Sequence, residues 1–276
     1  MRIDIVSLFP EFFDAFFSHS IIKRAIEAER LSMGVTNPRD FSHNKHGQVD
    51  DTPYGGGAGM LMMAPPIFEA VESVIAQYDS DINSAYSIDE ICDEMSLIGN
   101  PSESIRRRVI FMGPTGQPFT QEKACELAMY DQLVLICGHY EGVDYRVEEH
   151  LVDETISIGD YVLTGGELPA MVVADTVARM IPGVLGAASG AQEDSFYEPL
   201  LECPQYTKPP EFRGWGVPDV LRSGHHKNIA TWRKKEALKR TRLLRPDLLE
   251  RPLTKEEVKL LKEIIAEESE RDIGEV

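Results

Sequence analysis

Hydrophobic and polar positions change their period several times along the chain. Residues 2–8, Arg-Ile-Asp-Ile-Val-Ser-Leu, alternate in part with period two and predict a first strand. Phe9-Pro10 breaks it, because proline carries no backbone donor. Phe12, Phe13, Phe16 and Phe17 then recur at helical spacing, and a second helix is expected over 21–30. Residues 34–60 are dense in Gly, Pro, Asn, Asp and His and predict a long loop, a kind of segment that is usually functional inside a compact domain. Helix is expected again over 65–78.

From residue 108 the pattern becomes β/α. Arg108–Met112 reads as a short strand, Gly113-Pro114-Thr115-Gly116 as a loop, and Gln121–Met129 as a helix. Gln132–Cys137 is a continuous apolar run, the mark of a strand buried on both faces. Glu154–Ile158 is a further strand and Leu168–Met180 an apolar helix. Strands alternating with helices predict an α/β fold on a mainly parallel sheet. Residues 186–193, small and polar, read as a linker. Beyond Ser195 no strand pattern recurs, so the C-terminal part is expected to be a smaller, all-α domain. There Thr254-x-x-Glu257 is a capping box, with Val258, Leu261 and Ile265 as an apolar stripe behind it.

The 276 residues suggest about two domains, and 42% hydrophobic with 27% charged content excludes a disordered or collagen-like chain. No apolar run reaches the ~18 residues a membrane span needs, and the N-terminus reads as a strand rather than a signal peptide. Cys92, Cys125, Cys137 and Cys203 are scattered, without zinc-ligand spacing, which fits a reducing, cytoplasmic setting.

A net charge of -18 taken alone argues against a nucleic-acid partner. Its distribution changes that picture. Residues 1–186 carry 12 bases and 29 acids, whereas residues 187–276 carry 16 and 17. Residues 222–245 hold nine bases against Glu236 alone, an island of +8 that asks for an anion. Residues 79–104 hold seven acids and no base, and read as an exposed insertion.

Three glycine-bearing loops follow three strand ends: 113–116, Gly138-His139-Tyr140-Glu141-Gly142, and 159–166. Ligands in α/β sheets bind at the carboxyl ends of strands, although a glycine there is also an ordinary turn residue. None of the loops has dinucleotide or nucleoside-triphosphate spacing, and no lysine follows the glycines of Tyr54–Met60, which read equally well as an anion nest or a lid. Asp50, Asp51, Glu141, Asp160 and Asp194 are the acid/base candidates. Asp194 directly follows the linker, where a carboxylate could close over a substrate; its plainer reading is an N-cap for a following helix. Arg179 ends the apolar helix, either facing a site or snorkelling to water, and His43 and His46 read as solvated loop residues.

Together Asp50–Met60, Gly138–Asp144, Ser157–Ala170 and Glu193–Phe196 closely resemble the bacterial tRNA (guanine-N(1)-)-methyltransferase family of TrmD type, in the SPOUT class of knotted methyltransferases. The resemblance spans nearly the whole chain apart from about 79–105. It implies a deep trefoil knot in an α/β cofactor-binding domain (1–185, with 79–104 inserted), a linker (186–194) and a helical tRNA-binding domain (195–276). It implies a cytoplasmic homodimer, with the active site at the subunit interface and no membrane partner. S-adenosylmethionine is the implied methyl donor, held by Gly138 and Ile158, Gly159, Asp160, Tyr161, Val162 and Leu163, with Gly113 and Pro114 beside it and Glu141, Gly165, Gly166 and Pro169 around it. Asp194 matches the family's general base and Arg179 its partner arginine; Asp50, Gly59, Arg233, Lys234, Lys235 and Arg240 fall to the tRNA. The implied product is 1-methylguanine immediately 3′ of the anticodon. Magnesium is allowed by the resemblance, but no ligand cluster demands a metal. His139 stands where the family commonly has Arg, the 113–116 loop lacks the Ser the family often shows first, and the acidic stretch is longer than usual. The competing readings are a ribose 2′-O methyltransferase of the same class, a nucleotide-dependent transferase using the 55–60 loop, and a non-catalytic RNA-binding protein.

Overall fold

The computed structural model describes residues 1–86, 105–186 and 194–274. The chain divides into two units, 1–188 and 189–276.

In the first unit β1 (Arg2–Val6) leads through α1 (Asp14–Ser18) and α2 (Ser20–Glu27) to β2 (Ser32–Thr36). A two-residue ribbon, β3 (Asp50–Asp51) and β4 (Leu61–Met62), precedes α3 (Ala64–Tyr86). Then follow β5 (Arg107–Pro118), α4 (Gln121–Leu127), β6 (Gln132–Cys137), α5 (Tyr145–His150), β7 (Glu154–Ser157) and α6 (Glu167–Met180). The main sheet is parallel throughout, in the order β2-β1-β6-β5-β7.

The apolar run of β6 follows from its central place. Leu133, Leu135 and Cys137 pack on one face with residues of α2, α4 and α6. Val134 and Ile136 pack on the other with residues of α3 and α5. Alternate side chains thus enter two different cores, and no position is left for a solvated group. Asp4 on the neighbouring β1 is buried and accepts from Gln132 Nε2 at 2.7 Å and Arg2 Nε at 3.0 Å. Burial pushes its carboxyl above the usual range, against the opposing pull of Gln132 and Arg2.

In the first unit four expectations change. Residues 34–36 belong to edge strand β2, not to a loop; the strand is short and one-sided, so its periodicity is faint. The helix expected to end at 78 continues to Tyr86, because Asp79 pairs with Arg107 at 2.5 Å and Asp81 with Arg2 at 3.1 Å. The first part of the expected acidic insertion is therefore docked helix, while 87–104 and most of the expected linker, 187–193, lie outside the described residues. Residues 113–116 are a bulge within β5 rather than a free loop: pairing with β7 steps from Met112 to Gln117, both opposite Ile156. A Cβ on Gly116 would lie 2.4 Å from the Thr155 carbonyl, so only glycine fits.

The second unit is helical but not all-α. An antiparallel ribbon, β8 (Glu211–Phe212) with β9 (Trp215–Gly216), precedes α7 (Asp219–Arg222), α8 (His226–Leu244) and α9 (Lys255–Gly274). Its core is small: Leu200, Leu238, Leu260 and Ile264, flanked by Leu249 and Leu261. The expected stripe is off by a face, since Val258 and Ile265 are exposed while Leu260 and Ile264 are buried. The capping box forms as expected: Glu257 N donates to Thr254 Oγ1 at 3.2 Å, and Thr254 N to Glu257 Oε2 at 2.8 Å.

Candidate functional site

A cleft of about 150 Å³ opens where β5, β6 and β7 end. Of the residues expected to hold a cofactor, all but the exposed Asp160 line it. Phe111, Ile156, Ser157, Tyr140 and Thr164 line it as well. In the sequence Phe111 and Ile156 read as ordinary strand residues, since nothing local distinguishes a core side chain from one that floors a cleft.

The backbone makes the cleft. After β7 the chain returns past the end of β5 to β6, where Gly166 N donates to Gly138 O at 2.8 Å and His139 bridges to Gly165. A Cβ on Gly166 would stand 2.6 Å from Cys137 Cα, against backbone that has nowhere to move. Cβ atoms on Gly113 and Gly138 would approach the Phe111 ring at 2.8 and 3.0 Å. Glycine therefore marks close approach here more than turn formation.

Beneath the cleft lies a buried carboxylate. Glu167 opens α6 and accepts from Ser7 Oγ at 2.7 Å. Burial and the Glu167 charge together push the Cys137 thiol well up, so it stays a protonated core residue. His139 packs edge-on against Phe9 and Tyr140, each at 4.9 Å between ring centres. Its buried Nδ1 has no hydrogen-bond partner among the described residues. Buried polar atoms are rarely left so, and this one sits in the cleft wall.

The 54–60 loop joins the same neighbourhood. Glu141 N donates to Met60 O at 3.1 Å, and a Cβ on Gly59 would collide with the Glu141 side chain at 2.3 Å. Two candidates far apart in sequence are thus in contact. Asp50 lies half-buried on β3, its carbonyl accepting from Gln48 Nε2 at 2.8 Å. Arg179 is half-buried in the last turn of α6, where a cation complements the helix dipole.

Asp194 belongs to the second unit. Residues 194–200 form turns and an isolated bridge between Ser195 and Glu198, so no helix starts there for Asp194 to cap. Asp194 is half-buried and lines a cavity of about 320 Å³ with Glu198, Cys203, Arg233 and Lys234. The basic island lies mostly on α8, but much of it already faces acids. Lys234 Nζ is 3.1 Å from Glu198 and 3.8 Å from Glu257, and Lys235 Nζ is 2.6 Å from Glu267. Arg242 pairs with Glu268, and Arg245 with Asp247 at 2.7 Å. Arg233 is exposed and Arg240 half-buried. Among the described residues no cluster of His, Cys, Asp or Glu could hold a metal ion, and no helix is long and apolar enough to cross a membrane.

Residues 1–251 match the family model described as tRNA (Guanine-1)-methyltransferase TrmD. A tRNA (guanine-N(1)-)-methyltransferase of Desulforamulus reducens is 54% identical over 265 residues, covering 96% of this chain and 95% of the relative. The protein of that name from Brevibacillus brevis is 53% identical over 265 residues, covering 96% and 98%. One from Dehalococcoides mccartyi is 50% identical over 270 residues, covering 98% and 99%.

Proposed function

Because the chain belongs to the tRNA (guanine-1)-methyltransferase TrmD family, we propose that it moves a methyl group from S-adenosylmethionine, held in the strand-end cleft, to N1 of the guanine immediately 3′ of a tRNA anticodon. The observation that carries this reading is the cleft itself. Its walls combine apolar surface from Phe111, Ile156 and Leu163 with backbone brought close by Gly113, Gly138 and Gly166. An adenosyl group needs that combination: a flat apolar slot edged by backbone donors and acceptors. The unpartnered Nδ1 of His139 gives the wall one further polar contact.

Bound there, adenosylmethionine supplies an electrophilic methyl group on a sulfonium. The chain's own work is orientation and proton handling. Guanine N1 carries a weakly acidic proton; Asp194 accepts it, so that N1 presents a lone pair. Negative charge spreads to O6, where the Arg179 guanidinium stabilises it. A single in-line displacement needs no covalent enzyme intermediate, so fixed geometry is the main contribution. Asp50 and Gly59 contact the substrate from the first unit, and Arg233, Lys234, Lys235 and Arg240 hold tRNA phosphates from the second.

The same function goes with a knotted chain and a paired assembly. The return of 158–166 from β7 across β5 to the end of β6 supports a trefoil knot, which a crystallographic chain trace through 113–166 tests. A homodimer is supported by α6, whose exposed residues Leu168, Val172 and Asp175 form one stripe carrying a single charge. Sedimentation of Val172→Glu should show loss of the dimer; an unchanged species would reject this face. The function is tested by methylating an anticodon stem-loop and mapping the product by nuclease digestion and mass spectrometry. 1-Methylguanine 3′ of the anticodon is expected, and a ribose 2′-O-methyl product would replace this reading.

A further inference from the structure

The ribbon of β8 and β9 is short, closed at its base by Val217 N donating to Pro210 O at 2.9 Å. It has two residue pairs, Glu211 with Gly216 and Phe212 with Trp215. Its turn, Arg213-Gly214, has positive φ at both positions, 54° and 84°, the geometry whose twist suits a two-residue hairpin. All six residues are exposed, Phe212 by 56% and Trp215 by 70%. The two rings lie 6.4 Å apart at 47°, and the Arg213 guanidinium stands over Phe212, 5.1 Å from its centre. An isolated two-stranded hairpin is marginal in water, and this one spends its largest apolar side chains on solvent.

We propose that this ribbon is a stacking finger for an unpaired nucleobase of the RNA substrate, with Trp215 as the platform and Arg213 as the neighbouring cation. The inference rests on the tRNA-methylating reading above. Arg213 already covers one face of Phe212, which leaves Trp215 as the more open π surface. A free aromatic face beside a guanidinium is the combination by which single-stranded bases are held, since every base has a π face. Along the chain the finger is flanked by Lys208 on one side and by basic α8 on the other. A protein partner of ordinary size needs roughly 800 Å² from each side. Two rings set among Glu211, Arg213, Gly214 and Gly216 offer no such patch.

The chain has two tryptophans, so Trp232→Phe leaves Trp215 as the sole indole fluorophore. Its emission should be quenched by an anticodon stem-loop and unaffected by a blunt duplex of the same stem. Trp215→Ala should weaken stem-loop binding by about ten- to a hundredfold with an unchanged salt slope, because stacking releases no counterions. Trp215→Phe should recover most of the loss. A stem-loop that binds normally while Trp215 emission stays constant and Trp215→Ala keeps wild-type affinity would overturn the finger alone. Loss of self-association by Trp215→Ala without RNA would overturn it in favour of a second copy of the chain. No stem-loop binding by the wild type even at low salt would overturn the finger and the tRNA reading together.

Discussion

The strand-end cleft and the basic helix are built in opposite ways. The cleft is made of backbone, fixed by a sheet whose central strand is wholly buried, and its glycines let main chain come within van der Waals contact of main chain or ring. Its shape is a by-product of a large core. The core cluster of the second unit is only four buried apolar side chains among many charges. Its ion pairs brace the helices, as Arg251 and Glu257 do at 2.8 Å, and also mute the field that the sequence advertises. A cluster of lysines and arginines along a helix therefore measures the charge available, not the charge presented. Any phosphate brought to α8 would have to compete with Glu198, Glu257 and Glu267 for the same ammonium groups.

The sharpest break of that comparison would come from Asp194, which stands in the charged unit but is assigned chemistry. Asp194→Asn keeps the shape and cannot take a proton, so single-turnover methylation should fall by ~10²–10⁴-fold. Adenosylmethionine affinity, measured by calorimetry, should stay as it was. Near-normal turnover by a folded variant would pass the role to Asp50 or Glu141.

Gly166→Ala probes the cleft as backbone. Overpacking of this kind costs about 1–3 kcal/mol, and here the clash is with main chain at 2.6 Å. A lowered melting temperature with at least tenfold weaker adenosylmethionine binding is expected. Gly55→Ala, where a Cβ meets nothing within 4 Å, should leave that binding intact despite a positive φ of 86°. Equal losses from the two would mean that conformation rather than close approach sets the site.

Acid separates the units. Hydrogen bonds from Arg251 and Thr254 hold the Glu257 carboxyl at about 2, against 4.5 unfolded, and only 3% of its side chain is exposed. The stability this supplies, on the order of 3 kcal/mol, is complete above pH 4.5 and drains away as pH falls towards 2. Asp4 works in the other direction: its raised pKa means that protonation relieves a buried charge, so acid favours the first unit at that site. Both tryptophans lie in the second unit, so their fluorescence should report acid unfolding before far-ultraviolet dichroism is complete. Glu257→Gln should lower stability at pH 7 and flatten the dependence between pH 4.5 and 2. Coincident transitions in the wild type would show that the units unfold as one.

The smallest effect concerns the basic helix. Changing Lys234 and Lys235 to Ala should lower the salt slope of tRNA binding by about one to two, leaving the cofactor untouched. If the slope holds and the melting temperature drops, the two lysines are braces of the small core and not phosphate ligands.

Elements whose signal is local or long are legible before folding. Gln132–Cys137 is readable because burial on both faces forces an uninterrupted apolar run. The capping box at Thr254 is readable because its two hydrogen bonds span three residues. The motifs of the cleft were legible as a family pattern, which names the residues but not how they meet. Tertiary structure alone decided the rest. Edge strand β2 gains its identity from β1, α3 extends to Tyr86 because Arg2 and Arg107 wait for its acids, and Gly59 becomes necessary only once Glu141 lies against it. The +8 of residues 222–245 was correct arithmetic, yet its partners come from Glu198, Glu257, Glu267 and Glu268, outside the window. Periodicity along a chain records how deeply a residue is buried; which residue stands opposite depends on contacts between segments tens of residues apart, and those exist only once the chain has folded.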